Sequence, residues 1–116
     1  MVAQRRSNQI RAMITVLWEY QVKAGCIAEF EKIYAPNGEW AELFKKGKGF
    51  LGTRLIQSSD HPYLFVTVDQ WESLNDYKAF LSQWKEEYEK LDRQCSELTE
   101  REGCLGTFEA GFNDKE

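Results

Sequence analysis

The chain's 116 residues suit one domain, long enough to bury roughly two thirds of its unfolded surface and too short for a second core. The formal net charge of −4 argues against nucleic-acid binding, which needs a concentrated positive face to displace counterions from phosphate. The one local basic excess is Arg5, Arg6 and Arg11, read as a flexible N-terminal arm over residues 1–12. No apolar run approaches the roughly 18 residues of a membrane span, and the first residues lack the apolar core of a secretory signal. A cytoplasmic chain with no membrane partner is expected. Cys26, Cys95 and Cys104 are odd in number and lack metal-ligand spacing, so they read as reduced thiols and not as a disulfide or zinc framework.

Met13 to Val22 (MITVLWEYQV) is the first predicted strand. Residues two apart share a face, so Ile14, Val16, Trp18, Tyr20 and Val22 lie on one side and Met13 and Leu17 on the other. Large apolar residues on both faces require two covering layers. Lys23-Ala24-Gly25 breaks the alternation, and Ile27, Phe30, Ile33 and Tyr34 then recur at helical spacing. Pro36 ends that helix, because the residue before proline is pushed out of the helical region. Trp40, Leu43 and Phe44 begin a second short helical face, closed by Lys45 to Gly49 (KKGKG).

Phe50 to Gln57 (FLGTRLIQ) reads as the second strand and Pro62 to Glu72 (PYLFVTVDQWE) as the third, with the Ser58 to His61 cluster as the turn of a hairpin. The third strand is again two-sided, with Tyr63, Phe65 and Trp71 opposite Leu64, Val66 and Val68. From Ser73 the period changes. Leu74, Tyr77, Leu81, Trp84, Tyr88, Leu91, Cys95 and Leu98 follow three- and four-residue steps, and Ser73 with Asp76 has the form of a capping box. A straight helix of about 28 residues would be about 42 Å long, too long for this domain, so a break near Ser82 to Trp84 is predicted. Glu86 with Lys90 and Glu89 with Arg93 are expected pairs on its solvated face, and Glu86, Glu87, Glu89 and Asp92 are assigned no site. Gly103 to Phe112 (GCLGTFEAGF) supplies the last strand, with Gly106 and Gly111 marking a bulge or close approach. Residues 113–116 read as a loose tail.

Strand, helix, strand, strand, helix, strand is the split βαββαβ unit, giving an α+β, ferredoxin-like antiparallel sheet with helices on one face over residues 13–112. The other face is left open. A second copy of the same sheet would cover it, so a homodimer through sheet faces is predicted.

Val22 with Gly25 and Phe30, then Gly49-Phe50-Leu51-Gly52, then Trp71-Glu72-Ser73 running into a helix with Tyr77 and Phe80 form an ordered set. Together they resemble the antibiotic biosynthesis monooxygenase family of dimeric α+β barrels, from Met13 to Phe112. The family mixes cofactor-free oxygenases, haem-degrading enzymes and members of unknown activity, so the resemblance bears on fold more than on chemistry. Its haem-degrading branch uses an Asn on the first strand and a His on the helix after the third. Here Met13 to Val22 has no Asn and Ser73 to Arg101 has no His, so no cofactor, haem or metal is expected.

The sole histidine, His61, falls in the hairpin turn and reads as a solvated loop residue. Trp18, Tyr20, Trp40, Phe44, Phe65 and Trp71 are candidates to line a site for a small apolar or aromatic ligand, or are ordinary core. Glu19, Arg54, Thr67 and Asp69 fall within strands, where a covered charge needs pairing or a function. Arg54 with Glu19 or Asp69 is either a structural ion pair at the dimer interface or a catalytic set. With the resemblance, the second reading implies a cofactor-independent monooxygenase acting on an electron-rich aromatic or quinol-like molecule. In it, Glu19 or Asp69 is the base and Arg54 stabilises the oxyanion. The competing class is a non-catalytic dimeric ligand-binding or accessory protein.

Overall fold

The computed structural model describes residues 13–110. The basic arm, Gly111 and the tail lie outside them. Four strands, β1 (Met13–Val22), β2 (Phe50–Gln57), β3 (Leu64–Trp71) and β4 (Thr99–Ala110), form an antiparallel sheet in the order β2-β3-β1-β4. Between them run α1 (Ile27–Tyr34), α2 (Glu39–Phe44), α3 (Leu74–Gln83) and α4 (Lys85–Cys95), the last followed by a 3-10 turn over Ser96–Leu98. This is the expected ferredoxin-like α+β fold. No helix among the described residues is long and apolar enough to cross a membrane.

The helices cover one sheet face. On it β1 buries Ile14, Val16, Tyr20 and Val22, and β3 buries Phe65, Thr67, Asp69 and Trp71. The strand-to-helix layer is largely aromatic: Phe30 stacks on Tyr34 at 4.1 Å and meets the Tyr20 ring at 5.2 Å, an edge-to-face arrangement that ring quadrupoles favour. Ala35, held extended before Pro36, stops α1. The turn that follows swings α2 back over the sheet, where Trp40, Ala41, Leu43 and Phe44 are all buried.

The long helical segment breaks where the sequence predicts. Trp84, with φ −110° and ψ 30°, separates α3 from α4, yet its N–H still bonds Phe80 O at 2.9 Å and its carbonyl accepts from Tyr88, so the chain bends without losing a turn. Ser73 Oγ accepts the Asp76 N–H at 3.1 Å as the N-cap. The surface pair found on α4 is Lys85 with Glu89 at 3.5 Å, in place of the two expected pairs.

Boundaries differ in two strands, and β3 spans Leu64–Trp71 where Pro62 to Glu72 is predicted. β4 begins at Thr99, not Gly103, because the apolar spacing of Cys95 and Leu98 continues a helical stripe past the point where the backbone turns. The Lys23 N–H bonds Leu98 O at 2.9 Å and Val22 aligns with Thr99, so the ladder with β1 captures residues 99–102. A register shift then falls between Leu17–Gly106 and Trp18–Cys104. Leu105 is the extra residue, and Gly106 takes φ +129° to allow it.

Among the described residues the opposite sheet face carries no helix. Leu17, Val66 and Val68 lie half-buried along it, and Met13, Ile56 and Phe108 are exposed.

Candidate functional site

Between the helix-covered sheet face and the helices lies a cleft of about 410 Å³ including its solvent-open mouth, with an enclosed part of about 30 Å³. That interior has room for about two waters, so a ring enters only as side chains swing aside.

Asp69, on the central strand β3, forms the polar floor. The residue is 6 % exposed. Thr53, its register partner on β2, donates its hydroxyl to Asp69 Oδ1. Removal from water pushes the Asp69 carboxyl up to about 6, and the Thr53 hydrogen bond opposes that rise. One pair further along, Thr67 Oγ1 and the Tyr20 hydroxyl lie 3.4 Å apart and share a hydrogen bond.

The walls are rings. Trp18 and Tyr20 from β1, Tyr34 from α1 and Trp40 with Phe44 from α2 surround the floor, and Tyr88 of α4 meets Trp40 edge-to-face at 5.0 Å. Burial raises the hydroxyls of Tyr20, Tyr34 and Tyr88 far above the ordinary phenol range, so they stay protonated. Trp40 Nε1 is buried and makes no hydrogen bond of normal geometry, although it lies near enough to the Tyr34 hydroxyl and the Cys95 thiol to influence both.

The mouth is acidic. Asp92 of α4 and Glu102 of β4 line it. Desolvation and then the Asp92 charge raise the Glu102 carboxyl, and this happens even though the Glu102 residue as a whole is exposed, because protein surrounds its carboxylate end.

Of the residues singled out from the sequence, the cleft brings together Asp69, Trp18, Tyr20, Trp40 and Phe44. Phe65 and Trp71 are 1 % and 0 % exposed and belong to the core beneath it. Glu19 and Arg54 are not part of it: both sit at positions of opposite parity to Tyr20 and Thr53, on the helix-free face. Neither of the two ion pairs considered for Arg54 forms. Glu19 faces Arg101 at 4.0 Å, and Asp69 has Thr53. Asp92, read from the sequence as solvated helix surface, lines the mouth instead, because Tyr88, Asp92 and Cys95 share one stripe at four- and three-residue spacing. That spacing was the available signal. Tyr34 and Tyr88 were visible only as helix packing, Thr53 only as a neighbour of Arg54, and Glu102 was hidden by the misplaced start of β4.

Haem does not fit this lining. Among the described residues it offers no His, Cys or Met as an axial ligand. His61 lies exposed in the hairpin turn beside Pro62 and Arg101, in a separate shallow depression. Among the described residues no group of three or more His, Cys, Asp or Glu gathers closely enough to hold a metal ion.

The sequence profile of the antibiotic biosynthesis monooxygenase family matches residues 13–84. No protein of curated function matches the chain. Among solved structures, SnoaB, a cofactor-independent oxygenase from Streptomyces nogalater, superposes with a TM-score of 0.71 at 22% identity, covering 90% of this chain and 99% of its own. A candidate antibiotic biosynthesis monooxygenase from Bordetella bronchiseptica gives 0.68 at 18% identity, covering 86% and 98%. A conserved protein from Methanosarcina mazei Go1 gives 0.66 at 14% identity, covering 89% and 97%. At these identities the likeness is one of fold.

Proposed function

Because the chain belongs to the antibiotic biosynthesis monooxygenase family, we propose that it is a cofactor-independent monooxygenase acting on an electron-rich aromatic or quinol-like molecule bound in the Asp69 cleft. The observation that carries this reading is a buried carboxylate, raised to about 6, at the floor of a cleft walled by aromatic rings. A base of that strength is largely ionised at neutral pH and strong enough to take a proton from an acidic phenol or an activated ring C–H. The likeness to a cofactor-independent oxygenase adds support.

In this mechanism Asp69 accepts the substrate proton, and the resulting anion transfers one electron to dioxygen. Recombination of the radical pair forms the C–O bond of a peroxide, which takes a proton back from Asp69. Loss of water, with departure of a second C–H proton and cleavage of the O–O bond, leaves a carbonyl. One oxygen atom ends in the product and the other in water, and all the electrons come from the substrate. The hydroxyls of Tyr20, Tyr34 and Tyr88, which line the cleft and stay protonated, are the donors available to the developing oxygen anion. Trp40 and Phe44 on α2 keep water from the intermediate. The base is Asp69 alone, since Glu19 and Arg54 face away from the cleft.

The same reading makes the chain a homodimer, with the helix-free sheet face covered by its copy. The apolar row of Leu17, Val66, Val68, Ile56 and Phe108 supports it, since a monomer rarely leaves such a patch in water.

Oxygen uptake on anthrone- and hydroquinone-type substrates, after metal stripping, tests the function. Turnover should fall about a hundredfold or more in Asp69→Asn and stay unchanged in Glu19→Gln. If no substrate in the panel is consumed faster by the wild type than by Asp69→Asn, the chain is a ligand-binding or accessory protein of this fold instead.

A further inference from the structure

The charge of the cleft is one-sided. Among the described residues Asp69, Asp92 and Glu102 line it, and no Lys, Arg or His does. The ion pairs among the described residues join Lys45 with Glu42, Lys85 with Glu89 and Arg101 with Glu19, so none neutralises a cleft carboxylate. Asp92 is half-buried, and it and Glu102 act on each other as like charges, an arrangement that a cation between them would relieve. Trp40 and Tyr88, packed edge-to-face at 5.0 Å, line the same cleft, and aromatic rings attract cations. Asp69 is 6 % exposed, and among the described residues only its Oδ1 is hydrogen-bonded, to Thr53, which leaves a buried carboxylate oxygen for a ligand in the same cleft.

The register sets the span. Tyr20 of β1 aligns with Glu102 of β4, and Val16 of β1 with Asp69 of β3. The two carboxylates are therefore two strand spacings and four residues apart on one sheet face, roughly 16 Å between Cα atoms. From this geometry we infer that the cleft selects electron-rich aromatics bearing a protonated amine, with the phenolic end at Asp69 and the ammonium at the Asp92–Glu102 mouth. The inference rests on reading the cleft as the substrate site, but not on turnover there. Aromatics carrying a carboxylate or phosphate are repelled by the same mouth.

Calorimetric titration of the full chain with tyramine, 4-ethylphenol and 4-hydroxyphenylacetate separates the charges on one phenol ring. Tyramine should bind about fivefold or more tightly than the neutral phenol, and the carboxylate more weakly than either. The double variant Asp92→Asn, Glu102→Gln, altered at accessible positions that leave the core intact, should bring tyramine to the level of 4-ethylphenol. The inference is overturned if tyramine fails to bind at millimolar concentration, if it binds no better than 4-ethylphenol, or if its advantage survives in the double variant. An amine preference without oxygen uptake removes only the oxygenase reading. Uptake with neutral quinols and no amine preference removes only this inference.

Discussion

Asp69 is the residue where folding and chemistry conflict. Its carboxyl is raised by burial to about 6, while in the unfolded chain it titrates near 4. The folded state therefore binds more protons than the unfolded one between these values, and stability from this group is fully present below pH 4 and is lost as pH rises through 6. The loss at neutral pH is up to about 3 kcal/mol. Asp69→Asn keeps the shape and an acceptor for the Thr53 hydroxyl without the buried charge. Thermal unfolding should accordingly show Asp69→Asn more stable than the wild type by about 1–3 kcal/mol at pH 8, with the gap closing towards pH 4. A gap that is constant with pH would mean that the carboxylate is better solvated than its burial implies. A residue that costs stability where it is ionised fits a site under functional constraint better than one chosen for packing.

At the scale of elements, the hinge between α2 and β2 decides how the lid over the cleft is held. Gly49 has φ +89°, its carbonyl accepts the Glu72 N–H at 2.8 Å, and a Cβ there would run into the Asp76 side chain. The Ser73 cap holds the Asp76 backbone N–H and with it the Asp76 Cβ, so only the carboxylate end can turn away from the clash. Gly49→Ala should cost about 2 kcal/mol or more by denaturant unfolding, from left-handed strain together with the clash. Ser73→Ala, which removes only the cap, should cost about 1 kcal/mol. Equal losses for the two would show that the backbone at Gly49 relaxes freely. The pairing of a strained glycine with a capped helix start ties α3 to the end of β2, and the packing of Phe44 against Phe50 at 5.4 Å carries that order to α2 above the site.

For the whole molecule the two sheet faces have separate tasks. The helix-covered face holds the cleft, and the free face presents Leu17, Val66 and Val68 with Ile56 and Phe108 beside them. Arg54 lies on that free face beside Val68 on the edge strand β2, whereas Glu19, which faces Arg101, sits among the apolar side chains next to Val66. Val68→Glu places a charge on this apolar strip without touching the cleft lining. Sedimentation velocity should find the wild type as a dimer at micromolar concentration and Val68→Glu shifted to monomer, with unchanged far-ultraviolet circular dichroism. A monomeric wild type would leave the apolar strip without its proposed cover.

Alternation, helical period, Pro36 and the Ser73 cap act within a few residues of chain, and they suffice for the order of the elements and the break in the long helix. The sequence by itself also determined that both sheet faces would carry apolar side chains. It could not determine which parity of each strand faces the helices, since apolar residues occupy both, and so it left Glu19 and Asp69 as equivalent candidates. Tertiary packing separated them: α1 and α2 lie over Tyr20 and Thr67, which put Asp69 in the cleft and Glu19 outside it. The bulge at Leu105 decided the rest. By shifting parity midway along β4 it sets Glu102 and Cys104 on the same face as Thr107, and a single extra residue in a ladder is fixed by the partner strand rather than by any local preference.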